Sequence, residues 1–98
     1  MRHLRKAKKM LQLPATLTHT QAQQCLHVLK ADVQREQDSQ VVVDAGLLHN
    51  FDSSALAVLL ALRRECARYG KQFAVQGVSE RLRNLAVLYG VDRLLPNA

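Results

Sequence analysis

The sequence predicts an α/β domain with a small, mainly parallel β-sheet packed against helices. Three observations carry that expectation. Short runs rich in aliphatic or β-branched residues alternate with longer stretches whose apolar side chains recur every three or four positions. Gly70 and Gly90 fall where two of those helical stretches stop. The chain has 98 residues, enough for one domain and too few for two.

The elements follow in order. "MLQLP" alternates around Leu11 and Leu13 as a strand does, until Pro14 interrupts it. Thr18 or Thr20 then caps a helix. Ala22, Cys25, Leu26, Leu29 and Val33 share one face of it, and Gln23, Gln24, Lys30 and Gln34 take the other. "EQDS" closes that helix. "QVVVDA" is β-branched without interruption, which fits a strand covered on both faces. After Gly46 and the "LLHN" loop, a second helix runs from about Ser54 to Tyr69 and buries Ala55, Leu59, Leu62 and Cys66. "KQFAVQ" reads as another strand, with Gly77 in the turn after it. Ser79 caps a third helix that turns Leu82, Leu85, Ala86 and Tyr89 inward, and Val91, Leu94 and Leu95 fold back onto the core. Strand and helix alternate three times, and right-handed crossovers then make the sheet parallel. The domain is expected to span 11–98, after a flexible basic segment at 1–10.

Charge and composition exclude several function classes. Of the 14 Lys and Arg, five (Arg2, Arg5, Lys6, Lys8, Lys9) lie in the first nine residues, so the net charge of +6 is concentrated there. The remainder carries nine basic and eight acidic residues. That block reads as a solvated terminus, with anionic lipid or an acidic partner as the contacts its charge suits. Without a basic face on the fold, nucleic acid is not expected as a partner. The absence of Trp and the presence of only two Phe and two Tyr argue against stacking platforms for single strands. No apolar run approaches the ~18 residues of a membrane span, and the start lacks the pattern of a secretory leader. The chain is read as cytoplasmic. Cys25 and Cys66 sit on apolar helical stripes and are expected to pack in the core without a disulfide.

Signatures of chemistry are missing. There is no GxGxxG, GxxxxGK[ST] or GxSxG pattern. His3, His19, His27 and His49 are scattered and lack the spacing of metal-binding helices, so neither metal nor cofactor is expected. Asp44 ends a strand and Asp52 stands where a helix cap belongs, which favours loop ordering over an acid–base pair. No catalytic residue is assigned.

One stretch stands out. "HNFDSSALAVLLALRR" sets Asp52, Ser53 and Ser54 directly against Ala55, Leu56, Val58, Leu59 and Leu62. Asp52 or Ser53 can accept a hydrogen bond from a free amide at the helix start, for ~1 kcal/mol. The same geometry turns the helix's positive end and an exposed serine hydroxyl toward a partner. A phosphate there would add about −1.5 to −2 charges where the dipole favours them.

From roughly Leu11 to Pro96, and most specifically over 41–91, the chain resembles a STAS domain, the fold of anti-anti-sigma factors and of certain transporter subunits. The family pattern is a buried strand ending in Asp, a short loop, then Asp-Ser/Thr-small-Gly-Leu opening a helix. Asp44, Asp52, Ser53, Ser54, Ala55 and Leu56 occupy those places, with Ala55 where the family has glycine. The first strand of the family is missing or replaced by "MRHLRKAKK". The ending "VQGVSERLRNLAVLYGVDRLLP" is similar to the MlaB-like cytoplasmic subunit of the ABC transporter that maintains outer-membrane lipid asymmetry. The resemblance implies a non-catalytic subunit that binds the transporter's ATPase at the inner face of the inner membrane. Its docking surface would include Asp52, Ser53, Ser54 and Leu56, with Arg63 and Arg64 at the rim. The alternative it implies is an anti-anti-sigma factor phosphorylated at Ser53 by a serine kinase and read by an anti-sigma factor. An uncovered sheet edge would further allow self-association.

Overall fold

The computed structural model describes residues 10–98. The expectations placed on "MRHLRKAKK", both the flexible basic segment and the replaced strand, lie outside the described residues. Of the segment 1–10 expected to be flexible, Met10 is described, and it is already paired in the first strand.

Three parallel strands form the sheet. They are β1 (Met10–Gln12), β3 (Gln40–Asp44) and β5 (Gln72–Gln76), in the order β1-β3-β5. Met10 lies opposite Val42, and β3 runs in register with β5 from Gln40↔Gln72 to Asp44↔Gln76. β3 is therefore bonded on both sides, and Val41, Val42 and Val43 are all buried, as a strand covered on both faces requires. Helix α1 (His19–Arg35) links β1 to β3, and helix α2 (Ser54–Arg68) links β3 to β5. Both crossovers step the same way across the sheet. The right-handed rule then lays α1 and α2 on one face, where they pack against each other. Helix α3 (Glu80–Leu88) follows β5.

Each helix starts and stops for local reasons. Thr18, not Thr20, precedes α1, and the Gln21 side chain accepts hydrogen bonds from its backbone N–H and hydroxyl. Ser79 caps α3 by accepting the Leu82 N–H at 3.1 Å. Gly90, at φ +71°, ends α3 in a Schellman turn in which its own N–H bonds Val87 O and the Val91 N–H bonds Ala86 O. This left-handed residue reverses the chain, so that Val91 packs against the core beside α2.

The centre of the core is aliphatic. Leu13, Leu17, Val33, Val43, Leu59, Leu62 and Val75 are fully buried in one cluster. Cys66 joins them and Cys25 packs at the margin; both are free thiols, pushed up from their ordinary pKa chiefly by burial. One buried charge was not expected. Glu65 is 4% exposed and accepts a hydrogen bond from Gln34 Nε2 of α1 at 2.8 Å, across the interface between the two helices.

Three expectations are corrected. Tyr89 does not line the inner face of α3: it occupies the C-cap, just beyond the last helical residue, and is 57% exposed. Of the tail, Leu95 is buried and Val91 packs against the core, but Leu94 sits in a 3₁₀ turn (Asp92–Leu94) and stays exposed. Two minimal strands were not foreseen, β2 (Thr16–Leu17) and β4 (Asn50–Phe51), which pair in parallel as a separate ribbon. On the far edge of the sheet, Val75 N–H bonds Pro96 O and Ala98 N–H bonds Val75 O, so the last residues shield part of β5.

Leu59→Ala removes side-chain volume from a site with no solvent access and is expected to cost about 2–5 kcal/mol. Leu88→Ala, on a residue 78% exposed, stays within about 0.5 kcal/mol of the parent. Urea unfolding followed by circular dichroism checks the contrast.

Candidate functional site

The site is built where the carboxyl end of the sheet meets two helix starts. Asp44 closes β3, and its Oδ1 accepts the Gly46 N–H at 2.9 Å, which turns the chain out of the sheet. The His49 and Asn50 N–H groups then bond Ala15 O, and the β2–β4 ribbon sets Leu17 beside Phe51. Arg81 of α3 holds the ribbon from outside: its guanidinium lies 4.3 Å over the Phe51 ring and donates to His49 O at 3.1 Å. Because Leu17 and Phe51 are neighbours, the residues that follow each of them begin α1 and α2 side by side.

Asp52 uses that juxtaposition. Its Oδ1 accepts the Ser54 N–H at 2.8 Å and its Oδ2 accepts the His19 N–H at 3.1 Å. The His19 imidazole Nδ1 stands 3.6 Å from the same Oδ2. One carboxylate thus holds the first residue of both helices, each at the positive end of a helix dipole. The backbone N–H of Ser54 in particular, helped by that of His19 and opposed by partial desolvation, holds the Asp52 carboxyl below its ordinary range.

Ser53 is left free by this arrangement. Its backbone is already helical (φ −62°, ψ −15°), and its carbonyl accepts the Leu56 and Ala57 N–H groups. Its side chain makes no cap hydrogen bond and is exposed. Capping therefore falls to Asp52. Ser53 opens instead onto a shallow hollow of about 280 Å³ lined by Leu56, Ala57, Leu60, Tyr89 and Val91.

The residues singled out in the sequence divide accordingly. Asp52, Ser53 and Ser54 meet at the corner. Leu56 belongs to the core at 3% exposure, as its place beside Ala55 and Leu59 leads one to expect, and also lines the hollow from below. Arg63 and Arg64 are exposed but lie farther along α2, where Arg63 flanks a second hollow with Lys71 and Phe73. Ala55 is fully buried, so the methyl that replaces the family's glycine points into the core and not toward a partner. Sequence reasoning missed Ala57, Leu60, Tyr89 and Val91. The first two stood at helical spacing from Ser53 and could have been read; Tyr89 and Val91 reach the hollow through the reversal at Gly90. Among the described residues, no three potential ligands gather to hold a metal ion, and no helix is long and apolar enough to cross a membrane.

A family model described as Mlab, STAS domain matches residues 2–96. The chain belongs to this family. Among curated proteins, none matches it significantly. Solved structures of STAS-like shape agree in fold. A sulfate transporter family protein from Wolinella succinogenes superposes with a TM-score of 0.71 at 18% identity, over 89% of this chain and 70% of the other. The anti-sigma factor antagonist SpoIIAA in its unphosphorylated form gives 0.71 at 16% identity, over 98% and 86%. At such identities these likenesses speak for the fold alone. This STAS domain has the parallel sheet and the helices packed against it that the sequence predicted.

A carboxyl whose folded pKa lies below its unfolded value adds stability at pH above the unfolded value, and that stability is lost as pH falls through the folded one. Asp52→Ala is therefore expected to lower the urea midpoint near neutral pH. The gap between variant and parent should narrow below about pH 4, where the unfolded carboxyl is protonated. Unfolding curves collected across that range measure it.

Proposed function

We propose that this STAS domain is a non-catalytic subunit that binds the ATPase of a bacterial phospholipid-transport ABC system, the kind that maintains outer-membrane lipid asymmetry, and supports its assembly. The family match supports the reading. The structural observation that carries it is the exposed Ser53 hydroxyl, released from capping by Asp52 and set beside an apolar hollow. A convex helix start next to a concave apolar patch suits the seating of a protein side chain, with the hydroxyl as a polar anchor at its edge. In this role Asp52 and Ser54 fix the corner, Ser53 touches the partner, and the subunit works in the cytoplasm at the inner face of the inner membrane.

One observation favours a second reading, that of an anti-anti-sigma factor controlled by phosphorylation of Ser53. The hydroxyl is exposed at the N-terminal end of α2, where a phosphate would be favoured by the helix dipole, and the fold is shared with an anti-sigma factor antagonist.

The two readings separate experimentally. Co-expressed with the ATPase subunit of such a transporter from the same organism, the chain is expected to co-elute with it on size exclusion. Ala57→Arg, which fills the hollow from an exposed position, should weaken the complex by about tenfold or more without shifting the melting temperature. Failure of the parent chain to co-elute overturns the transporter reading. For the alternative, a serine kinase of the anti-sigma type with ATP should add one phosphate, mapped to Ser53 by mass spectrometry and absent in Ser53→Ala.

A further inference from the structure

We infer that the segment docking on α2 is acidic: a protein helix or loop that seats an apolar side chain in the Ser53–Tyr89 hollow and lays carboxylates along Arg63, Arg64 and Arg68. The inference rests on the docking reading above and adds the chemistry of the partner.

Helix α2 distributes its charges unevenly. It carries three arginines, all exposed, and one carboxylate, Glu65, which is buried and bonded to Gln34 of α1. Its first turn holds no acidic residue. The ion pairs among the described residues are His19–Asp52 and Arg35–Asp32, so none of the three guanidinium groups has a carboxylate partner. Arg68 lies 5.9 Å over the ring of Tyr69, which leaves its charge unneutralised. The near balance of charge outside the N-terminal block thus conceals a local separation, with every exposed charge on this helix positive and all of them in its C-terminal half.

The apolar hollow and Arg64 share one face of the helix, with Arg68 one turn beyond, while Arg63 stands to one side, next to the second hollow. Ser53, Ala57, Leu60, Arg64 and Ala67 follow one another at steps of three or four residues, so they form one stripe along the helix. From Leu60 to Arg64 is one turn, about 6 Å of axis, so a bound segment of three turns reaches from the hollow to the last arginine. Ala57 and Ala67 are small and exposed, which lets a partner backbone come close. Guanidinium groups bind carboxylates bidentately and are weakly hydrated, which suits them to an interface. A concave apolar hollow lined by one tyrosine favours a single inserted side chain over the flat surface of a bilayer, and this decides for a protein segment. Each exposed pair adds little to affinity; the greater effect is on the rate of encounter, and it is screened by salt over about 8–10 Å.

The test uses the full chain, labelled with ¹⁵N, and two synthetic helical peptides with the same leucine repeat, one flanked by Glu and the other by Lys. The Glu peptide is expected to shift the amide signals of Ser53, Leu60, Arg64 and Tyr89, and to bind at least about tenfold more tightly than the Lys peptide, with the difference fading as salt rises. The triple substitution R63E/R64E/R68E should invert the preference, and R64E alone should reduce it; circular dichroism verifies that both variants are folded. Equal binding of the two peptides, or no shifts at these residues, overturns the inference. So does binding of phosphatidylglycerol vesicles through these residues when the Glu peptide does not bind. The ATPase assay keeps the two claims apart. If the ATPase co-elutes equally with parent and triple variant, the acidic partner is refuted and the transporter reading stands. If the ATPase does not bind but the Glu peptide does, the reverse holds.

Discussion

Everything in this domain is arranged around a central strand with a neighbour on either side. β3 contributes three consecutive buried valines and is paired in register along its whole length with β5 and over three residues with β1. Once that strand is fixed, each helix has only one route between parallel neighbours, and the two crossovers must share a face of the sheet. α1 and α2 are then pressed together with their starting ends level. The corner at Asp52 follows from the sheet as a geometric result, and no separate device is needed to place it.

The finer positioning belongs to a ribbon of four residues. β2 and β4 are only two residues each, yet their pairing decides that Asp52 faces the first amide of α1 as well as that of its own helix. An aspartate that serves both helices leaves the serine after it with no structural duty. That division of labour gives the site its character: the charged residue is spent on order, and the neutral hydroxyl stays available to solvent.

Much of this was legible in the sequence because period and punctuation agreed. The valine run, the three helical stripes and the stops at Gly70 and Gly90 each appear within two residues of where the pattern placed them. What escaped had a physical reason. Thr16–Leu17 and Asn50–Phe51 are too short for any alternation to register, and they are held by partners more than thirty positions away. Tyr89 continues the spacing of α3, but a residue at the C-cap no longer shares the helix's inner face, so periodicity misplaced it. The choice between Asp52 and Ser53 as cap was open in the sequence, since either side chain can reach a free amide. It closes only when α1 supplies a second donor that the carboxylate alone can serve at the same time.

The pair formed by Gln34 and Glu65 has an evolutionary consequence. A carboxylate in the helix interface is tolerated because one amide of the facing helix is aimed at it. Glu65 left without Gln34 would be a buried polar group without its complement, at a cost of about 1–3 kcal/mol or more, whereas Gln34 is exposed and turns to water if Glu65 is lost. An acid at position 65 therefore requires a donor at position 34, while a glutamine at 34 makes no such demand on 65. Across related chains an acid at 65 should be accompanied by a donor at 34, and where 65 turns apolar, position 34 is released to any residue that suits a solvated helix face. Such one-sided dependence would trace the α1–α2 seam through the aligned sequences of the family.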